Sequence, residues 1–341
     1  MNDAGCFFAA ANGYSGFRSY FDNIFSPDKL KKLYILKGGP GTGKSTLMKT
    51  IAKRFSDEAC VTRIYCSSDV SSLDGILIEQ NGNAIGIADG TAPHVIEPRF
   101  PGAVEEIVNL GDGFDCRALY KQNNVIRELS EKKSYAYKNA YALLAAAGDI
   151  RKCIHTVLLD NDIYTEAERY ARELVRDTKA CGVAPDDRVL LLCSFSKDGY
   201  TFLPERGNGK KIISIDGDGF TEYLIIREIR KILFEKTALL RSYESALSSE
   251  FFDAVECEEV VFKVSQKGES TSLTCPWMFT DNSYLEMKKA HEAMLSIAQK
   301  FFVDASVHHF ALEKIYSENM SFKNNDAKIE RLCADITELF A

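Results

Sequence analysis

The chain has 341 residues, of which 45% are hydrophobic and 27% charged, with ordinary numbers of glycine and proline. This composition excludes a disordered or fibrous protein, and the length exceeds what one hydrophobic core usually serves, so we expect two folded domains. Forty-two basic and forty-nine acidic residues give a formal net charge of -7, which repels a phosphate backbone and disfavours nucleic acid as a partner.

Membrane and secretion signals are not evident in the sequence. It contains no run of eighteen apolar residues, and Met1 to Cys6 have neither a basic leader nor an apolar stretch. The ten cysteines are scattered, without a Cys-x-x-Cys pair or a spacing suited to zinc, which is typical of reduced thiols. We therefore expect a cytoplasmic protein that is not associated with a membrane.

Short apolar segments and a helical segment alternate in the first third of the chain. The predicted strands are Cys6 to Ala10, Leu33 to Lys37, Val61 to Cys66 and Ala84 to Ala88. Between the second and third of these, Ser45 to Phe55 carries apolar residues at helical spacing. The alternation predicts an α/β fold in which helices flank a parallel sheet.

Long helical segments, such as Tyr135 to Ala147, follow from about residue 115 to residue 179. A second alternation then begins. Its strands are predicted at Val189 to Phe195, Ile212 to Ile215 and Glu259 to Val264, and helices return around Tyr284 to Phe302. We therefore predict one domain at residues 1–182, with a helical extension from about 115, and another at 183–341 with C-terminal helices.

The two halves also match in residues. Lys31 to Gly38 aligns with Lys210 to Gly217 at a constant offset of 179 residues (210 − 31). Further matches are Asn12-Gly13-Tyr14 with Asp198-Gly199-Tyr200 and, after one deletion, Leu47 and Ile51 with Ile225 and Ile229. Together they favour a duplicated unit, whose second copy is degenerate.

The segment Gly38-Gly39-Pro40-Gly41-Thr42-Gly43-Lys44-Ser45 matches the phosphate-binding pattern G-x-x-x-x-G-K-[ST], and Thr46 follows it. A buried strand precedes the loop and a helix begins at the lysine, so backbone N–H groups and the positive helix end can face an anion. Lys44 is predicted to reach the β- and γ-phosphates, and Ser45 to coordinate Mg²⁺. Residues Gly38 to Thr46 are therefore predicted to bind Mg-ATP or a close relative.

A second Mg²⁺ ligand and catalytic group is predicted at Asp89, directly after an apolar strand. Many ATPases place a catalytic glutamate at the next position, which here is Gly90, so hydrolysis has no obvious general base. The candidate substitutes are Asp69, His94 and Glu97. Asp69 is the best placed of these, because ligands collect at the carboxyl ends of strands.

The aligned loop of the second half replaces the lysine and serine with a glutamate and a tyrosine. The residues concerned are Asp216, Asp218, Glu222 and Tyr223. Carboxylates repel a polyphosphate, so we expect this loop not to bind ATP and to have a structural or regulatory role. A cation site formed by the three acidic residues is the alternative.

Several segments resemble a poorly characterised bacterial family of tandem P-loop ATPases, in which two related nucleotide-binding units follow one another. The resemblance covers nearly all of the first half and rests on Leu36 to Lys49, Cys66 to Asp69, Ser72 to Gly75, Asp89 to Ile96 and Pro101 to Gly111. The family implies ATP binding and hydrolysis but no settled biological process. Its second unit often keeps a GKST-like loop, from which this sequence departs at Glu222 and Tyr223.

Three functional hypotheses remain open. The leading one is a nucleotide-dependent switch that hydrolyses ATP with Mg²⁺ and acts on a protein partner or within a homo-oligomer. The second is a kinase that passes the γ-phosphate to a small acceptor, with Asp69 and Arg99 as the groups for base and charge stabilisation. The third is a sensor that binds nucleotide without hydrolysis, which the missing glutamate favours.

Overall fold

A computed structural model of the protein describes residues 5–160, 162–186, 188–203, 210–266, 272–275, 277 and 281–341. Over these residues, no helix has the length and apolar character needed to cross a bilayer. None of the ten cysteines takes part in a disulfide.

The first half, up to residue 182, contains eight strands and five helices among its described residues. The strands are β1 (Gly5–Phe8), β2 (Ala10–Gly13), β3 (Gly16–Ser19), β4 (Lys32–Lys37), β5 (Cys60–Tyr65), β6 (Leu73–Gln80), β7 (Asn83–Asp89) and β8 (Glu105–Asn109). The helices are α1 (Phe21–Ile24), α2 (Lys44–Phe55), α3 (Cys116–Lys121), α4 (Asn123–Asp160) and α5 (Ile163–Leu174).

The second half continues with seven strands and three helices in the part of the chain that the structure describes. The strands are β9 (Cys193–Ser196), β10 (Gly199–Phe202), β11 (Lys211–Asp216), β12 (Arg241–Glu244), β13 (Phe252–Glu256), β14 (Val260–Val264) and β15 (Ser272–Thr274). The helices are α6 (Thr221–Glu235), α7 (Asn282–Glu318) and α8 (Asn325–Phe340).

Most predicted strands and the predicted helix Ser45 to Phe55 are confirmed within one or two residues, and two strands differ. The predicted helices Tyr135 to Ala147 and Tyr284 to Phe302 lie within the longer helices α4 and α7. The predicted strand Cys6 to Ala10 is divided at Ala9, because β1 pairs with β5 in the main sheet whereas β2 pairs with β3 in a separate hairpin. In the predicted strand Val189 to Phe195, the regular strand begins only at Cys193. The preceding residues form isolated bridges to β1 and β12.

The first sheet has the order β1-β5-β6-β7-β4-β8 and is not fully parallel, contrary to the prediction. Strand β1 pairs in parallel with β5, and β4 pairs in parallel with β7 and β8, but β6 is antiparallel to both β5 and β7. The reason is local: β6 and β7 are joined by Asn81-Gly82, and both residues have positive φ (51° and 77°). This is the two-residue turn that closes an antiparallel hairpin.

The second sheet repeats the arrangement of the first. Its order is β12-β13-β14-β11-β15, with β13 antiparallel to both neighbours and β11 parallel to β14 and β15. Leu190 bridges to β12 in parallel, as β1 does to β5. Strands β4 and β11 lie at the offset of 179 residues (211 − 32) found in the alignment. The strand, loop and helix formed by β4 and α2 in the first sheet therefore correspond in position to those formed by β11 and α6 in the second.

A helix of each half packs against a helix of the other half. The long helices α4 and α7 pack side by side, and their ends continue into α5 and α8. Helix α5 packs on α6 in the second half, where Ala167 and Ala171 join the core of that sheet. Helix α8 packs on α2 in the first half through Ile329, Leu332 and Ile336. The boundary at residue 182 stays a prediction, but folding of either half uses a helix from the other.

Candidate functional site

The loop between β4 and α2 is shaped by its glycines. Gly41 and Gly43 have φ of 73° and 86°, a region that side chains with a Cβ rarely adopt. The Thr42 side chain is buried, and its Oγ1 donates to the carbonyl oxygen of Gly39 at 3.0 Å, which closes the loop. Helix α2 begins directly after Gly43, so its unpaired N–H groups and positive dipole end face the loop.

Lys44 and Asp89 are brought together at the carboxyl ends of β4 and β7. The Lys44 Nζ donates to the carbonyl oxygens of Gly38 and Gly39, both at 2.9 Å, and lies 3.6 Å from Asp89 Oδ2. Each of the two charged side chains is only 12% exposed. Asp89 reaches this position because it is paired with Leu36, at the end of the strand that delivers the loop. The structure therefore unites two residues that are 45 positions apart (89 − 44) in the sequence.

The two predicted metal ligands have defined neighbours. Asp89 Oδ1 accepts hydrogen bonds from the Thr91 N–H (2.9 Å) and Thr91 Oγ1 (2.6 Å), while Oδ2 faces Lys44. Ser45 Oγ accepts a hydrogen bond from the Leu73 N–H at 2.9 Å. Mg²⁺ held by one hydroxyl and one carboxylate would take its other ligands from phosphate and water, as is usual for this ion.

A buried Asp74–His94 pair stands behind Asp89. His94 Nδ1 is 2.9 Å from the Asp89 carbonyl oxygen, and Nε2 is 3.4 Å from Asp74 Oδ2. The imidazole stacks on Phe21 with a centroid distance of 4.2 Å. Burial lowers the pKa of His94, but the hydrogen bond and charge of Asp74 outweigh it, so the net pKa is raised. The pair therefore restrains the backbone of Asp89 through the contact of His94 with the Asp89 carbonyl oxygen.

Sequence reasoning did not single out Asp74 as a site residue. It is the second residue of β6, which was missed as a strand, and its side chain is 10% exposed. Because β6 is antiparallel to β7, the first residues of β6 lie beside the carboxyl ends of β7 and β4. The Asn81-Gly82 turn was the signal that could have placed Asp74 there.

Asp69 lies in the loop after β5 and stays a prediction as a catalytic group. Its carboxylate accepts hydrogen bonds from the Ser71 N–H (3.2 Å) and Ser71 Oγ (2.9 Å). It also faces His309 of α7: burial and Lys133 lower the pKa of His309, whereas the charge of Asp69 raises it. Helix α7 therefore approaches this edge of the sheet from the second half.

Glu97 and Arg99 have other partners. The Glu97 carboxylate is 2.8 Å from the Lys37 Nζ and 72% exposed. Arg99 pairs with Asp28 at 2.7 Å, and its N–H donates to Glu105, the first residue of β8. The glycine-rich loop follows the last residue of the neighbouring strand β4, so Arg99 lies at the opposite end of these strands. The hypothesis that Arg99 acts on the phosphates is therefore wrong for this structure.

Gly90 occupies a position with no room for a side chain. A Cβ added there would lie 2.3 Å from Cγ2 of Ile35, a fully buried residue of β4. A glutamate after Asp89 is thus excluded by packing as well as by sequence.

The equivalent loop of the second half is filled by its own acidic side chains. Glu222 is 5% exposed, and its Oε2 accepts a hydrogen bond from the Gly219 N–H at 3.1 Å. Burial raises the pKa of Glu222 to about 7. Asp218 Oδ1 accepts hydrogen bonds from the Phe220 and Thr221 N–H groups (both 3.1 Å), and its Oδ2 from the Tyr284 hydroxyl. These carboxylates therefore satisfy the backbone of their own loop.

Arg151, from α4, fills the space beside this second loop. Its guanidinium carbon lies 4.9 Å, 5.2 Å and 4.3 Å from the ring centroids of Phe220, Tyr223 and Phe251. The side chain is buried, and among the described residues its Nε and Nη2 have no hydrogen-bond partner. No group of three His, Cys, Asp or Glu residues placed to hold a metal ion occurs in the described ranges. The contacts of Asp218 and Glu222 support the structural interpretation of this loop over the cation site.

Comparisons of the sequence with protein-family models, with curated proteins and with solved structures found no match. The resemblance to tandem P-loop ATPases therefore stays a prediction, and the function rests on the chemistry of the site.

Proposed function

We propose that the protein is a Mg²⁺-dependent P-loop nucleotide-binding protein that holds a nucleoside triphosphate, ATP in the first instance, on Gly38 to Thr46. The observation that carries this proposal is the Lys44–Asp89 pair, 3.6 Å apart at the ends of adjacent strands and beside the start of α2. A cation for the β- and γ-phosphates and a carboxylate for the metal are the two groups that this class of site requires.

The proposal includes a duplicated fold, whose second copy has lost the site. The matching strand orders support duplication, and so do equivalent backbone hydrogen bonds. Gly90 N–H donates to Leu36 (3.0 Å), and Ser265 N–H donates to Ile215 (2.8 Å). In the second sheet, the residue beside Ile215 is Val264, where the first sheet has Asp89 beside Leu36. The second copy therefore lacks both the lysine and the metal-binding carboxylate.

The contacts of the site suggest how a triphosphate is accommodated. Phosphate oxygens replace the carbonyl oxygens of Gly38 and Gly39 as acceptors for Lys44, and the loop N–H groups bind the β-phosphate. Ser45 and Asp89 are the residues that would hold a Mg²⁺ ion, and such an ion would supply positive charge to offset that of the phosphates. The Asp74–His94 pair keeps the Asp89 backbone fixed while the Asp89 side chain changes partners.

Slow hydrolysis suits this site, and a nucleotide sensor is the second candidate function. Both are favoured by the packing of Ile35 against Gly90, because it leaves no place for a glutamate that would activate water. Helix α7 touches the loop, since a Cβ at Gly41 would lie 2.7 Å from the Glu313 carbonyl oxygen. A nucleotide in the loop can therefore shift α7 and, through it, the helix α4 that reaches the second half.

The experiment is a binding titration of Mg-ATP by calorimetry, together with a phosphate-release assay. Lys44→Ala is expected to weaken binding at least a hundredfold, because the main cation for the phosphates is removed. Lys53→Ala, an exposed lysine of the same helix, is the matched control and is expected to bind like the wild type.

The result distinguishes the candidates. Release that depends on Lys44 supports an NTPase, and Lys44-dependent binding without release supports the sensor. Release only after addition of an acceptor indicates a kinase. Wild-type protein that binds no nucleotide, or a Lys44→Ala variant that binds normally, contradicts the proposal.

A further inference from the structure

A surface pocket of about 430 Å³ opens between the loop and the C-terminal helices. Its walls come from the loop, from the start of α2, from α7 and from the segment between α7 and α8. The lining includes Gly41, Gly43 and Thr46, the aromatic residues Phe310 and Phe322, and the charged residues Glu313 and Lys314 of α7. The pocket is thus continuous with the proposed phosphate site, although most of its remaining wall belongs to the second half of the chain.

The pocket lies on the side of the loop away from the γ-phosphate. Lys44 faces Asp89 and the sheet, which marks the γ end of a bound triphosphate. Successive residues of an α-helix are turned by about 100°, so Thr46 points roughly 160° away from Lys44. Thr46 lines the pocket. If the γ-phosphate of a nucleotide lies at Lys44, its sugar and base therefore extend toward this pocket.

Two aromatic rings are available in the pocket. Phe310 of α7 is 43% exposed and Phe322 is 44% exposed, although both are large apolar side chains. A ring carbon of Phe322 lies 3.6 Å from the position that a Cβ on Gly43 would occupy, so the ring is directly beside the loop. Exposed aromatic rings beside a phosphate site offer flat surfaces on which a base can stack.

Asn325, at the start of α8, fixes Phe322 against the loop. Its N–H donates to the Phe322 carbonyl oxygen (2.9 Å), and its Nδ2 donates to the Thr42 carbonyl oxygen (3.2 Å). The residue is 9% exposed, and within the described part of the chain its Oδ1 has no hydrogen-bond partner. Asn325 is not among the residues that line the pocket, so it acts on a ligand there only by holding Phe322 in place.

We propose that this pocket binds the base of the nucleotide, which stacks on Phe310 and Phe322. The inference rests on the proposed function, since it requires the phosphates to lie at Lys44. It assigns part of the nucleotide site to the C-terminal helices, so that base binding holds α7 and α8 against the first half.

The test compares Mg-ATP with Mg-tripolyphosphate, which has the phosphates without sugar or base. Dissociation constants are measured for the wild type, Phe310→Ala and Phe322→Ala, with Phe100→Ala as a control. Phe100 is also 43% exposed, but it precedes β8 and therefore lies at the end of the strands that is opposite to the loop. Circular dichroism checks that each variant is folded.

Each phenylalanine variant is expected to bind Mg-ATP about tenfold more weakly and tripolyphosphate as the wild type does, because only base stacking is lost. Phe100→Ala should change neither. Equal affinity of the wild type for ATP and tripolyphosphate overturns the inference without any variant. Unchanged ATP affinity in both folded phenylalanine variants overturns it as well.

The failures of the two proposals differ. If the wild type binds neither ligand, or if Lys44→Ala binds both normally, the proposed function itself fails. If both ligands bind through Lys44 but the phenylalanines have no effect, only the base pocket fails.

Discussion

The two loops at the ends of β4 and β11 share a backbone arrangement and differ in what fills them. In the first loop a lysine contacts carbonyl oxygens and faces Asp89, and helix α2 begins directly after the loop. In the second loop the Glu222 carboxylate accepts from the loop backbone and Arg151 closes the space beside it. The same backbone arrangement is therefore compatible with an interior that is filled by side chains of the protein itself.

The largest expected effect comes from giving the first loop the charge of the second. Lys44→Glu places a carboxylate opposite Asp89 and the phosphates, and we expect Mg-ATP affinity to fall at least a thousandfold. Equilibrium dialysis with labelled ATP measures the loss. Lys53→Glu, which makes the same charge change at an exposed site of α2, is expected to have little effect. A Lys44→Glu variant that retains micromolar binding would refute the role of this lysine.

The reciprocal substitution, Glu222→Lys, is expected to restore nothing. Val264 still stands where the first half has Asp89, and the new cation is buried near Arg151. We expect one nucleotide per chain by calorimetry, as in the wild type, and a loss of stability of about 3 kcal/mol in urea unfolding. A second bound nucleotide would show that the second loop is closer to function than its contacts indicate.

The buried carboxyl groups of the second half predict a dependence of stability on pH. Burial raises the pKa of both Glu222 and Asp253 to about 7, from ordinary values of 4.5 and 3.8. A carboxyl group with a raised pKa contributes stability fully below its unfolded pKa, and this contribution is lost as the pH rises through 7. We therefore expect the free energy of unfolding to decrease between pH 5 and pH 8, by on the order of 2 kcal/mol for each group.

Glu222→Gln isolates one of these contributions, since an amide does not ionise. Urea unfolding at four pH values from 5 to 8 should give a shallower decrease for this variant than for the wild type. Asp57→Asn, at an exposed carboxylate, is the control and should follow the wild type. Parallel curves for Glu222→Gln and the wild type would show that Glu222 does not titrate in this range.

The smallest effect is expected at Gly90, where the two halves differ in local packing. Gly90→Ala brings a Cβ within 2.3 Å of the Ile35 side chain, and we expect a loss of roughly 1–3 kcal/mol in urea unfolding. The equivalent residue of the second half is Ser265, which already carries a side chain, so Ser265→Ala should change stability by less than about 1 kcal/mol. Equal stability of Gly90→Ala and the wild type would remove the packing explanation for the missing glutamate.

Local sequence determined the parts of the fold and site that depend on neighbouring residues. The glycine-rich loop, the strand before it and the helix after it were predicted within a residue, because periodicity and turn chemistry act over short distances. The lysine and serine of the loop followed from the same pattern, and Asp89 from its place at the end of an apolar strand. Nucleotide binding itself stays a prediction.

Only the tertiary structure decided which distant groups meet. The antiparallel place of β6 put Asp74 beside His94, the crossing of α8 put Asn325 and Phe322 beside the loop, and α4 brought Arg151 to the second loop. Strand pairing also corrects the alignment of Gly13 with Gly199. Gly13 pairs with Gly16 in the hairpin of β2 and β3, and Ser196 pairs with Gly199 in the hairpin of β9 and β10. Gly16, the first residue of the second strand, is therefore the counterpart of Gly199. Strand pairing and helix packing depend on the burial of surfaces that are far apart in the chain. Local sequence patterns do not show which of these surfaces come into contact.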